Sequence, residues 1–362
     1  MSEYRLAAGL AAVLLLATAC GSGDSESSTS TNTSASASAT TSSGSGPGSG
    51  GGTAAAQVLT ATQAFLATLD DSQKSSVQAE RTEANLSQWS NLPDQLFERA
   101  GLRMDSLDDE QQAAVLAILK AALSEDGYEQ VTGITYGDGV LKDAGGIDLD
   151  FGADHYWIRV LGTPSETGQW TLQYGGHHLA VNVTLTDGTM TLGPTLWAAQ
   201  PAYYDKDGNE VEPLKGETEK AFKVVQSLDD EQFDTAELDT AVTEIVLGAG
   251  QDGKTLESEG VKASDLDADQ QKLLLDLIDE WITPLNDEQA KAKLADAKKN
   301  LKSTYFAWYG STESDQPIYY RVQSPSYTIE FAHQQGQGAN AGGVTHIHSI
   351  YRENGNDYGA ED

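Results

Sequence analysis

Cysteine is nearly missing from this 362-residue sequence: there is one, Cys20, so no intramolecular disulfide can form. Thiol chemistry is thereby excluded from everything downstream of the N-terminal region. Basic residues are scarce as well. Against 55 Asp and Glu stand only 22 Lys and Arg, a formal net charge of -33. Nucleic acid is excluded as a partner on that balance, because affinity for it rests on Lys and Arg neutralising phosphates. Long apolar runs are missing too, apart from Leu6 to Thr18, which is too short to span a bilayer. There is no Gly-x-Ser-x-Gly elbow. What is present beyond the N-terminal region is roughly 300 residues, enough to bury a sizeable core without disulfides.

The apolar run follows Arg5 and ends in Ala17, Thr18, Ala19 and Cys20. A short basic start, an apolar centre and small residues before a boundary form a secretory signal. The boundary resembles the bacterial lipobox, with Ala17 where leucine is usual. The resemblance implies cleavage after residue 19 and lipidation of Cys20. The chain is then expected at the extracytoplasmic face of the cell membrane, its membrane partner reached through the lipid on Cys20; an ordinary secretory signal is the alternative. Residues 20–57 are dominated by Ser, Thr, Gly and Ala, which cannot bury enough apolar surface to fold, and are expected to form a flexible linker.

One pattern recurs five times: Leu, then Asp or Asn, two variable residues, then Gln. It starts at Leu69, Leu107, Leu228, Leu266 and Leu285. Asp or Asn followed three residues later by Gln forms a capping box, so each copy predicts a helix start. The first two copies and the third and fourth are separated by the same interval. Gly101-Leu102-Arg103-Met104 leads into the second, and Gly260-Val261-Lys262-Ala263 into the fourth. Upstream, Ala64-Phe65 matches Ala221-Phe222. The sequence therefore reads as two related halves, 58–216 and 217–362.

Each half then turns to strands. Tyr156 to Leu161, Trp170 to Tyr174, His178 to Thr186 and Thr189 to Leu196 lie in the first half. Tyr305 to Tyr309, Ile318 to Gln323, Tyr327 to Ala332 and Thr345 to Arg352 answer in the second. Asp187-Gly188 marks a hairpin, and Asp205 to Asn209 reads as another turn rather than a calcium loop. The connection from Gln334 to Val344 is Gly-rich and expected to be mobile. The expected fold is α+β, internally duplicated, each half helices followed by an antiparallel sheet, with pseudo-twofold packing.

All six histidines fall outside the predicted helices, four of them in Gly176-His177-His178-Leu179 and His346-Ile347-His348. Strand alternation puts His346 and His348 on one face, with Ile350 and Arg352. Ala180 and Asn182 share the face of His178, and Glu330 stands opposite the apolar Ile329 and Phe331. Paired imidazoles on a strand suit a divalent metal such as zinc. The expected ligands are His178, His346, His348 and Glu330, with Glu330 also the candidate catalytic base, and with His177, Asn182, Arg352 and Asp357 in support. Histidines satisfying one another on a polar sheet face, or catalysing without metal, remain as alternatives.

These residues carry a family resemblance. Gly176-His177-His178-Leu179 with Asn182, and His346-Ile347-His348-Ser349 with Arg352 and Asn356-Asp357-Tyr358-Gly359, are similar to those of the domain of unknown function family 3500. Tyr319-Tyr320-Arg321 before Glu330 and Leu123 to Tyr128 fit as well. The resemblance runs from about Phe65 to the C-terminus and implies an exported bacterial protein, without implying an activity. Functionally, the expectation is a divalent-metal-binding protein acting as a metal-assisted hydrolase. The competing reading is a non-catalytic ligand-binding or interaction lipoprotein, its small-molecule pocket built from Trp157, Trp170, Trp197 and Trp308. Which protein partner it has, if any, the sequence leaves open.

Overall fold

The computed structural model describes residues 53–314 and 316–360; the expected signal, Cys20 and nearly all of the expected linker lie outside the described residues. The chain opens with α1 (Ala54–Thr68), α2 (Asp71–Val77), β1 (Gln78–Ala79), α3 (Glu83–Leu86), β2 (Leu102–Arg103), α4 (Asp109–Ala122) and α5 (Glu125–Ala144). Four longer strands follow, β3 (Trp157–Leu161), β4 (Gln169–Gly175), β5 (Leu179–Thr186) and β6 (Thr189–Ala199), then a small hairpin of β7 (Tyr204–Lys206) and β8 (Asn209–Val211). The order then recurs in outline: α6 (Lys215–Gln226), α7 (Asp230–Ala236), β9 (Val261–Lys262), α8 (Ala268–Glu280), α9 (Asp287–Asn300), β10 (Tyr305–Gly310), β11 (Ile318–Gln323), β12 (Tyr327–Gln335) and β13 (Val344–Glu353).

The helix starts follow the recurring motif. Asp70, Asp108, Asp229 and Asp267 each accept the N–H of the Gln three residues on, whose side chain takes the N–H of the cap residue. Asn286 caps α9 by accepting the Gln289 N–H. The glutamines do more than cap. Gln73 and Gln111 exchange amide hydrogen bonds of 3.1 and 3.0 Å, and Gln232 and Gln270 exchange bonds of 3.1 and 2.7 Å. Each box is thus also a tie between two helices. Chain entry to α1 differs from expectation: Thr53 caps it and it begins at Ala54, inside the stretch assigned to the linker.

Eleven strands form one mixed sheet in the order β1-β3-β4-β5-β6-β13-β12-β11-β10-β9, with β2 also pairing β3. Among the described strand pairs of this sheet, only β1–β3 is parallel. From the antiparallel β6–β13 contact the order runs outward through successive neighbours on both sides. Both expected hairpin turns close with positive φ at their central pair, Asp187 and Gly188, and Asp207 and Gly208.

Strand alternation divides the sheet into two faces. Leu179, Val181, Val183 and Leu185 of β5 pack into the main core with Phe65, Leu119, Phe222 and Leu277 of the helices. The intervening residues face away from the helices. Ala180, Leu196, Ala198 and Ile350 pack against Leu86, Trp89 and Leu247, and Ala307, Tyr319 and Ala332 pack against Leu238. Helices therefore cover one face. On the other lie two stretches poor in regular structure, around residues 80–100 and 237–260. The Gly-rich connection after β12 is tied down: a short turn at Gly338–Asn340 brings the Ala339 N–H to the Gly145 carbonyl at the end of α5.

Candidate metal centre

His346 and His348 stand at alternate positions of β13, the strand that joins β6 to β12, so they share a face. His348 lies between Ala198 on β6 and Ala332 on β12. His178 immediately precedes β5, and its carbonyl accepts the Ala198 N–H at 2.9 Å. With only a methyl group at Ala198, the His178 and His348 rings can meet above it. Ring centroids lie 5.4 Å apart for His178 and His346, 6.0 Å for His178 and His348, and 4.4 Å for His346 and His348. One ring nitrogen from each of the three falls within 4.8 Å of the others. All three residues are buried.

A second layer orients the rings. Asp138, on the buried face of α5 with Ile134 and Leu141, takes His178 Nδ1–H at 2.6 Å and the Tyr156 hydroxyl at 2.7 Å. Glu244 takes His348 Nδ1–H at 2.8 Å, the Gln334 amide at 3.1 Å and the Ile245 N–H at 2.8 Å. With Nδ1 of His178 and His348 donating, the Nε2 atoms of those two rings carry lone pairs, while His346 Nδ1 is buried without a partner. His178 Nε2 is buried without a partner, and His346 Nε2 and His348 Nε2 lie 2.9 Å apart. Burial and His177 lower the pKa of His178, against the pull of Asp138. Burial, then His348 and His178, hold His346 far below the usual range. Burial opposes ionisation of Asp138, but His178 and His177 outweigh it and keep the carboxylate charged. Burial likewise opposes ionisation of Glu244, yet its bond to His348 lowers its pKa. Three convergent rings, two of them backed by carboxylates, form a donor set for a cation, in the carboxylate–histidine arrangement common around zinc.

Of the expected ligands, His178, His346 and His348 come together and Glu330 does not. Glu330 shares their face, opposite Ile350 on β13, but its oxygens accept the Val246 N–H at 2.9 Å, the Leu247 N–H at 2.7 Å and the Tyr319 hydroxyl at 2.5 Å. A fully occupied structural carboxylate is a poor ligand or base, so both roles pass from it. His177 stacks on His178 with centroids 3.7 Å apart, and its Nδ1 lies 3.3 Å from Asp138, off the line of a hydrogen bond. Asn182 sits at a bulge in β5, donating to the Pro194 carbonyl at 2.7 Å. Arg352 binds Asp252 and Asp357 at 2.8 and 2.7 Å and takes no direct part. The four tryptophans form no pocket: Trp170, Trp197 and Trp308 belong to the helix-covered core. Trp157 lies under Arg99 and Arg103 instead.

Asp138 and Glu244 were not anticipated. An Asp in register with Val131, Ile134 and Leu141 on an amphipathic helix was the available signal for the first. Glu244 lies in an acidic stretch without periodicity, and nothing local distinguishes it. Asp94, Asp150 and His155 also cluster within ligand reach. There, however, Arg99 at 3.1 Å and Arg103 at 3.7 Å already neutralise Asp94.

The family model described as Protein of unknown function (DUF3500) matches residues 51–360, and the chain belongs to that family. Neither a curated protein nor a solved structure matches it.

Proposed function

We propose that this member of the family binds one divalent metal ion through His178, His346 and His348 and works as a metal-assisted hydrolase on an exported, lipid-anchored chain. The observation that carries the reading is the pairing of the rings. His178 and His348 give their outer nitrogens to Asp138 and Glu244, and one ring nitrogen of each lies within 4.8 Å of one from His346. The two carboxylates leave a charge that a divalent ion balances. Three imidazoles leave one position of a tetrahedral set open, as in catalytic rather than structural sites. A divalent ion held there supplies Lewis acidity to a carbonyl group or a water molecule. Asp138 and Glu244 fix the orientation and tautomer of His178 and His348, and burial disfavours protonation of His178 and His346. The test is the metal content of the full chain purified without a histidine tag, followed by titration with zinc, manganese and copper. One site-specific equivalent is expected, lost in His346→Ala. The reading fails if none of the three metals binds at a specific site.

We also infer that the chain is an internal duplication, with a pseudo-twofold axis between β6 and β13. Three observations support this. The strand order reads the same outward from that contact on both sides. The paired glutamines Gln73–Gln111 and Gln232–Gln270 are both 38 residues apart. Gly101 and Gly260 precede β2 and β9 with φ of 113° and 97°, and in each case a Cβ would overlap a backbone carbonyl of the neighbouring strand, Ile158 or Phe306. Such a fold brings His178 from one half to His346 and His348 from the other.

A further inference from the structure

Glu330 and Arg352 leave the metal ligands alone, yet both reach the segment that carries Glu244. From Glu237 to Gly260 the chain crosses the sheet between α7 and β9, almost without regular structure. Glu330, fully buried, grips it by the consecutive N–H groups of Val246 and Leu247 at 2.9 and 2.7 Å. Arg352, 3% exposed, grips the carbonyls just beyond: Nε donates to Leu247 at 2.7 Å and Nη2 to Gly248 at 3.0 Å. Its Nη1 binds Asp252 of the same segment at 2.8 Å. Donors and acceptors of one short stretch are thus clamped from two neighbouring strands, β12 and β13. Glu244 lies two residues before the clamp and receives His348 Nδ1–H.

We propose that Glu330 and Arg352 are positioning residues of the metal centre, setting its affinity through Glu244, and that metal loading in turn tightens the segment. The inference rests on the metal reading above. Glu244 holds His348 in the tautomer whose Nε2 lone pair faces the site, and loss of such an outer partner typically weakens metal binding about 10–100-fold. A segment freed from its clamp no longer presents Glu244 at bonding distance. Glu330→Gln is the incisive change: an amide keeps one acceptor oxygen but places a donor NH2 against a backbone N–H. Coupling between two events is reciprocal, so whatever the clamp contributes to metal affinity, bound metal returns to the clamp.

The test is zinc affinity by chelator competition on the full chain, for the wild type, Glu244→Ala, Glu330→Gln and the double variant. Each single change is expected to weaken zinc binding about 10–100-fold. The double variant is expected to bind about as weakly as Glu244→Ala alone, because both act through one contact. Hydrogen exchange across residues 244–252 is expected to slow on zinc addition in the wild type and not in Glu244→Ala. Unchanged zinc affinity in Glu330→Gln overturns the inference, as does a Glu330→Gln penalty that persists in full in the Glu244→Ala background. Should circular dichroism show that Glu330→Gln does not fold, Arg352→Lys decides, since a lysine cannot reach both carbonyls and Asp252 at once. Wild-type affinity in that variant then refutes the proposal. Failure of the wild type to bind any metal is a different result and removes the metal reading itself.

Discussion

Asp138 is buried in a helix whose neighbouring inward positions are Ile134 and Leu141, and it holds His178 on one oxygen and Tyr156 on the other. Asp138→Asn is expected to weaken metal binding about 10–100-fold in a competition assay, while Tyr156→Phe, which removes only the bond to the far oxygen, leaves affinity near wild type. A second buried carboxyl, Glu217, behaves differently. Gln130 donates to it at 2.8 Å, and burial, with Glu280 nearby, pushes its pKa up to about 8. The ordinary value is 4.5, so the folded chain holds its proton more tightly than the unfolded one. Its contribution is fully present below about 4.5 and is lost as pH rises towards 8, by up to about 1.4 kcal/mol per pH unit. Denaturant midpoints for Glu217→Gln are expected to lose that slope and to exceed wild type at pH 8. Residue types and their local register were legible in the sequence; these two roles were not, because each depends on what a helix meets across the core.

The capping boxes show how far local chemistry reaches at the scale of an element. A cap is a contact within four residues, so the recurring Asp-x-x-Gln placed the starts of α2, α4, α7 and α8 directly. The pairing of Gln73 with Gln111, and of Gln232 with Gln270, spans two helices and could not be read locally. Gln111→Ala and Gln270→Ala each remove a reciprocal cap bond and an inter-helix tie. Each is expected to destabilise by about 1–2 kcal/mol, with the double variant additive within about 0.5 kcal/mol, because the sites are remote. Unequal losses, measured by chemical denaturation, would count against the two sites being equivalent copies. Strand alternation was equally local, and it put His346 and His348 on one face correctly. It set Glu330 opposite the apolar Ile329 and Phe331 as well, but facing direction does not specify a partner, and the backbone of residues 246–247 claimed it first.

For the molecule as a whole, the metal and the anchor make separate predictions. A ligand that binds only the folded state adds about 2.7 kcal/mol at a hundredfold excess over its dissociation constant. Chelation is therefore expected to lower the melting temperature by several degrees, and His346→Ala to abolish the difference, both read by scanning calorimetry. Cys20→Ser is expected to move the protein from the membrane to the soluble fraction, or to block its processing; equal retention of the variant would end the lipoprotein reading. Neither prediction depends on the other.

By itself the sequence determined the α+β class, the helix caps, the hairpin turns and the face on which each β13 histidine stands. All of these follow from interactions within a few residues, which any chain of this pattern makes before it is packed. Only tertiary structure decided that β6 meets β13, that Ala198 leaves room for His178 to approach His348, and that an aperiodic acidic segment delivers Glu244. Those contacts join residues about a hundred or more positions apart, so nothing in the local pattern encodes their pairing; burial across a shared sheet face selects it.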